Sequence, residues 1–253
     1  MAAHPVRQRI LITGASSGLG EGMARWYAAM GRDLALAARR TERLEELRDE
    51  LTAAHPGIRV VTAALDVDDA EAVAAVVPEL VERLGGLDRF VANAGIGKGA
   101  PVGSGKGWAN RATLLTNVLG THAQCEAALE IFRAQNAGHL VIVSSVAGIR
   151  GMRGSSTAYA TSKAALNVLA EGIRADVLRT PIRVTTIRPG FIATDINVGR
   201  RGPFTVDVDT GVRALSAAIE REPALAYVPE WPWRAIAGLM RVLPLSVTSR
   251  ATS

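Results

Sequence analysis

The stretch Thr13-Gly14-Ala15-Ser16-Ser17-Gly18-Leu19-Gly20 lies between a short apolar run, 9–13, and a segment of helical spacing, 19–30, that stops at Gly31. A strand passing to a helix through closely spaced glycines leaves few folds open. Glycine permits the tight turn and lets the backbone approach an anion, and the helix start offers free N–H groups to it. Gly14, Ser16, Ser17, Gly18, Leu19 and Gly20 are therefore candidate contacts for a pyrophosphate. The spacing is G-x-x-x-G-x-G, different from the G-x-G-x-x-G of the commoner dinucleotide fingerprint.

The same alternation continues along the chain. Strand-like runs at 34–38, 58–67, 87–94, 140–145 and 183–188 are separated by helical patterns at 41–54, 68–84, 108–135 and 157–178, with a further helix at 208–220. Thr41 is a possible N-cap, and Leu44, Leu47 and Leu51 share one helical face. Pro78 should kink the helix 68–84 or start a new turn. Alternation of this kind predicts an α/β fold: a single-domain, Rossmann-type, doubly wound parallel β-sheet with helices on both faces, spanning 1–253. No linker, repeat or low-complexity tract interrupts it.

Composition narrows the function. Hydrophobic residues make up 48% and charged residues 21%, as in an ordinary globular protein. Net charge is +5, but the arginines are dispersed and aromatic residues are only 4%, which argues against a nucleic-acid partner. The four histidines, His4, His55, His122 and His139, show no metal-ligand spacing, so no metal is expected. Cys125 is the single cysteine, excludes an internal disulfide and reads as a core filler. The apolar run after Arg7 and Arg9 is too short for a signal peptide or membrane span, and a cytoplasmic location is expected.

Charge usage singles out one pair. The chain has 26 Arg but three Lys (Lys98, Lys106 and Lys163), and Lys163 stands four residues after Tyr159. On a helix that spacing puts both on one face. A neighbouring ammonium favours phenolate and lowers a tyrosine pKa. An accidental pair on a surface helix is the competing reading. A second signal is the end of the second strand, Ala38-Arg39-Arg40. An acid there would accept from a ribose 2′-OH, whereas an Arg accommodates a 2′-phosphate. Ala38 occupies the acid's place, and Arg39 follows. NADP(H) is therefore expected over NAD(H), with Arg39 and Arg40 as candidate contacts; solvated arginines opening a helix are the alternative.

With these residues in view, the chain resembles the short-chain dehydrogenase/reductase family over about 9–195. Thr13 to Gly20 match its T-G-x-x-x-G-x-G. Asp66-Val67 match an acid-plus-apolar pair that in the family contacts adenine, and Asn93-Ala94-Gly95 match the N-A-G beside the cofactor. Asn117, Ser145, Tyr159 and Lys163 match its catalytic tetrad, and Pro189-Gly190 with Ile192 and Thr194 match the segment holding the nicotinamide carboxamide. Ser144 could also be the hydroxyl, but Ser145 has the family's spacing to Gly148.

The resemblance implies hydride transfer between nicotinamide and a carbonyl or secondary alcohol. It makes Tyr159 the acid or base and Lys163 its tuner and a ribose contact. Ser145 would orient the substrate oxygen, and Asn117 would kink its helix and hold a water. It also implies a homodimer or homotetramer built through the two long helices. Reduction of 3-oxoacyl groups on acyl carrier protein is a second enzyme reading, and a non-catalytic cofactor-binding sensor or scaffold is a reading of another class.

Beyond Thr194 the reading is local. The loop 195–203, with Gly199, Arg200, Arg201 and Gly202, is either a lid or a plain surface loop. A tail helix is expected at about 231–244, after Trp231-Pro232-Trp233. Packing on the core or on a partner subunit is favoured for it. An amphipathic cap over an apolar substrate, or a membrane contact, is the alternative.

Overall fold

The computed structural model describes residues 6–194 and 204–251. In chain order it has β1 (Arg9–Thr13), α1 (Gly18–Ala29), β2 (Asp33–Ala38), α2 (Thr41–Ala54), β3 (Val60–Ala64), α3 (Ala70–Leu84) and β4 (Arg89–Ala92). Next come α4 (Gly107–Leu114), a π-helical segment (Leu115–Gly120), α5 (Thr121–Gln135) and β5 (Gly138–Val143). The second half has 3₁₀ turns at Val146–Ile149 and Gly154–Ser156, α6 (Thr157–Asp176), β6 (Ile182–Pro189), α7 (Val208–Glu220), β7 (Leu225–Val228), α8 (Glu230–Val242) and α9 (Leu245–Ala251).

The strands form one seven-stranded sheet in the order β3-β2-β1-β4-β5-β6-β7. Every pairing is parallel. The order reverses direction at β1, so the connections leave β1 and β4 on opposite faces. A crevice at the carboxyl ends of the strands follows from that reversal.

Strand residues alternate between two buried layers. Leu11, Ala35, Phe90, Leu140 and Ile142 face one layer, with Val73, Val77 and Leu80 of α3, Phe132 of α5 and Leu166 of α6. Ile10, Ile12, Leu34, Leu36, Val91 and Val141 face the other, with Met23 and Tyr27 of α1, Leu44, Leu47 and Leu51 of α2 and Leu215 of α7. Burial on both faces explains why the strands read as unbroken apolar runs.

Two features depart from the expectation and one refines it. Helix α3 runs through Pro78. Burial of Val73, Val77, Leu80 and Leu84 along one stripe outweighs the one hydrogen bond that proline forgoes, and Asp69 caps the start through Ala72 N–H at 2.9 Å. The helix expected over 108–135 is interrupted at Leu115–Gly120, where an i→i+5 turn shifts the register around Asn117. A seventh strand, β7, adds to the six expected. The tail helix is present as α8, and α9 follows it. Residues 195–203, with the candidate lid, lie outside the described residues. Among the described residues no helix is long and apolar enough to cross a membrane.

Candidate active site

The carboxyl ends of the strands open into a cleft of about 420 Å³. Of the residues that the sequence nominated, all but Gly20 and Asn117 line it. Those two act from behind.

The β1–α1 turn needs its glycines for space. Gly14 has φ +63°, and a Cβ on it would stand 2.9 Å from Ala94 Cα. A Cβ on Gly20 would stand 2.3 Å from the Gly14 carbonyl oxygen. Ser17, the N-cap of α1, makes no side-chain cap bond, so first-turn N–H groups remain for an anion. Beneath the turn, Thr13 Oγ1 accepts from the N–H groups of Asn93 and Ala94 at 3.1 and 3.2 Å and donates to Gln124 Oε1 at 2.7 Å. Asn93 Nδ2 donates to the Thr13 carbonyl at 2.9 Å. This network locks β4 to β1 where the crevice begins. Gln124, wholly buried on α5, was not nominated by the sequence.

At the end of β2 the two arginines diverge. Arg40 donates to Ser16 Oγ at 3.2 Å and to Ser17 Oγ at 2.7 Å, which holds its guanidinium against the glycine turn. Arg39 points elsewhere, 3.8 Å from Asp66. Both line the cleft with Asp66 and Val67. Arg40, rather than Arg39, is thus the cation fixed beside the turn.

The other end of the cleft carries the titratable groups. Helix α6 presents Tyr159 and Lys163 on one face, with Nζ 5.8 Å from the tyrosine ring centroid. Lys163 is buried, and desolvation lowers its pKa from 10.5 to about 8. Its ammonium donates to the Val143 carbonyl at 2.9 Å.

Ser145 accepts from Ala147 N–H at 3.1 Å and makes a long contact of 3.4 Å to the Pro189 carbonyl. Ser144 Oγ donates instead to the Lys163 carbonyl at 2.8 Å, inside the protein. Of the two serines, Ser144 is thereby engaged with α6, and Ser145 keeps the weaker, more readily exchanged bond.

Asn117, in the π segment, accepts from Ile96 N–H at 2.8 Å and donates to the Ile96 carbonyl at 2.9 Å and to Ser162 Oγ at 3.0 Å. Ser162 in turn donates to the Tyr159 carbonyl at 2.7 Å. The π turn therefore pins the cleft wall to α6. Ser162 carried no signal of its own in the sequence, because its role exists only once Asn117 faces it. No cluster of three or more His, Cys, Asp or Glu able to hold a metal occurs among the described residues.

Glycine turn, arginine, buried lysine and tyrosine in a crevice at a strand-order reversal define a dinucleotide-binding α/β protein. A family model described as short chain dehydrogenase matches residues 8–202. An uncharacterized oxidoreductase of Mycobacterium tuberculosis is 53% identical over 251 residues, 99% of each chain. Another uncharacterized oxidoreductase, of Myxococcus xanthus, is 39% identical over 92% of each chain. Among solved structures, an alcohol dehydrogenase from the archaeon Thermococcus sibiricus, complexed with 5-hydroxy-NADP, is 27% identical with a TM-score of 0.77, covering 87% of this chain and 95% of that one. The chain belongs to the short-chain dehydrogenase/reductase family. It is an oxidoreductase with a nicotinamide-cofactor fold.

Proposed function

We propose that this chain is an NADP(H)-dependent oxidoreductase that interconverts a carbonyl and a secondary alcohol, with Tyr159 as general acid in reduction and general base in oxidation. The observation that carries the reading is the buried Lys163 ammonium on the same face of α6 as Tyr159, in the cleft that Ser145 and Gly190 also line.

The residues fit a dinucleotide along the cleft. Gly14 to Leu19 would hold the pyrophosphate, Asp66 and Val67 the adenine, and Pro189, Gly190, Ile192 and Thr194 the nicotinamide. Asn93, Ala94 and Gly95 form the floor between them. When bound, the cofactor supplies or accepts the hydride. Arg40, anchored on Ser16 and Ser17, offers the fixed charge that a 2′-phosphate needs, with Arg39 beside it.

The chain's own groups divide the proton chemistry. Ser145, after release of its long bond, orients the substrate oxygen. Tyr159 gives that oxygen its proton as negative charge develops. Lys163 favours the phenolate left behind, and Asn117 pins the cleft wall to α6 beside it.

Around Ser145 and Tyr159 the cleft is lined by Ile96, Ala147, Met152, Phe191 and Ile192, with no acidic side chain among the described residues there. A neutral, lipophilic carbonyl compound is the substrate this lining suits. The test is NADPH oxidation against ketones, quinones, steroids and 3-oxoacyl thioesters. Turnover of lipophilic ketones, quinones or steroids is expected. Preference for the thioesters would replace the substrate reading, and tight NADPH binding without turnover of any class would favour a sensor.

A further inference from the structure

The tail joins the two halves of this site. Trp233 of α8 is 5% exposed, and its indole rests on Gly190: a Cβ there would fall 2.0 Å from Nε1. Phe191 packs edge-on against it with centroids 5.1 Å apart. The indole N–H is buried with no acceptor among the described residues, so Trp233 is held by shape and not by a hydrogen bond.

The far end of α8 is held differently. A helix leaves its last carbonyls without intrahelical partners. Here Pro244, four residues after Met240, has no N–H to give the Met240 carbonyl. Arg150 supplies the donor: its Nη1 bonds to the Met240 carbonyl at 2.6 Å and to the Leu243 carbonyl. A cation at a helix carboxyl end is also favoured by the dipole. Arg150 directly follows the 3₁₀ turn Val146–Ile149, which Ser145 caps. The same turn is tied to α6, because Asn167 Nδ2 donates to the Gly148 carbonyl at 3.0 Å, and Asn167 Oδ1 accepts from Arg188 at 3.0 Å.

We propose that α8 is a fixed back wall of the active site, in which Trp233 seats the Pro189–Gly190 segment and Arg150 fastens the wall to the serine turn. Both are positioning residues; neither needs to touch a reacting atom. The inference rests on the proposed placement of nicotinamide on Pro189–Gly190. It makes the tail a determinant of binding at the nicotinamide end, with no influence on the adenosine end beside Arg40.

Two probes separate the ends: NADPH, which spans the cleft, and 2′,5′-ADP, which carries only the adenosine end. Trp233→Ala is expected to raise the NADPH dissociation constant about tenfold and leave that of 2′,5′-ADP unchanged. Trp233→Phe, which keeps an aromatic wall, should stay within about threefold of wild type for both. Arg150→Ala, which leaves Trp233 in place, should weaken NADPH about threefold with 2′,5′-ADP unchanged, and Arg150→Lys, which keeps a cationic donor at the helix carboxyl end, should restore it.

If Trp233→Ala does not fold, the Arg150 pair decides alone. A change in melting temperature with an unchanged NADPH to 2′,5′-ADP ratio would overturn the proposal, as would equal weakening of both probes. Failure of the wild-type chain to bind either probe would instead overturn the cofactor reading beneath it.

Discussion

The two ends of the sheet's strands both bury charge, and they do so in opposite ways. At the amino ends of the strands Arg89, 1% exposed, donates to His139 Nδ1 at 2.9 Å and pairs with Glu220 and Glu222. Arg7 grips Glu222 with two bonds of 2.7 and 3.1 Å. His139 therefore presents Nε2–H to Thr185 at 2.9 Å, and Thr185 donates to the Pro223 carbonyl at 2.7 Å. Burial pushes the Tyr27 phenol up, against the lowering influence of Arg89.

At the carboxyl ends, Lys163 is equally deep but has no carboxylate partner among the described residues, and its pKa has fallen to about 8. Matched charges hold a structure together, because each desolvation cost is offset by a partner. A buried ammonium with a lone carbonyl gains little for the fold and is where function is to be sought.

Breaking each end should therefore break a different property. Lys163→Met is expected to cut turnover by about 10²–10⁴-fold, the range for a group that tunes an acid–base catalyst, while the chain stays folded. Steady-state kinetics on a substrate found in the screen would show it. Comparable turnover in this variant would give both ends a structural role. Glu222→Gln, at the other end, should cost about 3–5 kcal/mol by urea unfolding, because Arg7 and Arg89 lose a buried charged partner. Its turnover per folded molecule should be unchanged.

A sharper contrast comes from pH. The folded chain sheds the Lys163 proton near pH 8, whereas the unfolded chain keeps it to about 10.5. Stability of the apo wild type should then rise relative to Lys163→Met as pH increases across that window, since the unfolded state holds more protons there. A parallel pair of curves would mean that the ammonium is not desolvated.

Arg40→Ala should raise the NADPH dissociation constant by about 10–100-fold over any change for NADH, as expected for loss of charge-assisted bonds to a phosphate. Arg39→Ala, at a side chain held only by a 3.8 Å surface pair with Asp66, should shift the same ratio within about threefold. A reversed order would return the assignment to Arg39.

The sequence was legible where a short stretch dictates its own geometry. The glycine turn, Asn93-Ala94-Gly95 and the Tyr159–Lys163 spacing each impose a local constraint, and the structure gathers them at one cleft. Legibility failed where meaning depends on distant partners. Arg39 and Arg40 are neighbours, and which one meets Ser16 and Ser17 is set by the backbone at the end of β2. Arg89 and His139 read as ordinary residues at strand starts until Glu220, the last residue of α7, and Glu222 just past it meet them. Strand β7 has four residues, part-exposed at the sheet edge, and too little pattern to announce itself. The bonds of Arg150 to the tail link positions 90 and 93 residues apart.

The most direct measurement is NADPH binding and turnover by Tyr159→Phe, side by side. The account predicts an NADPH dissociation constant within about threefold of wild type and turnover lowered by about 10³-fold or more, since the ring stays and the proton donor is gone. Wild-type turnover in that variant would contradict it.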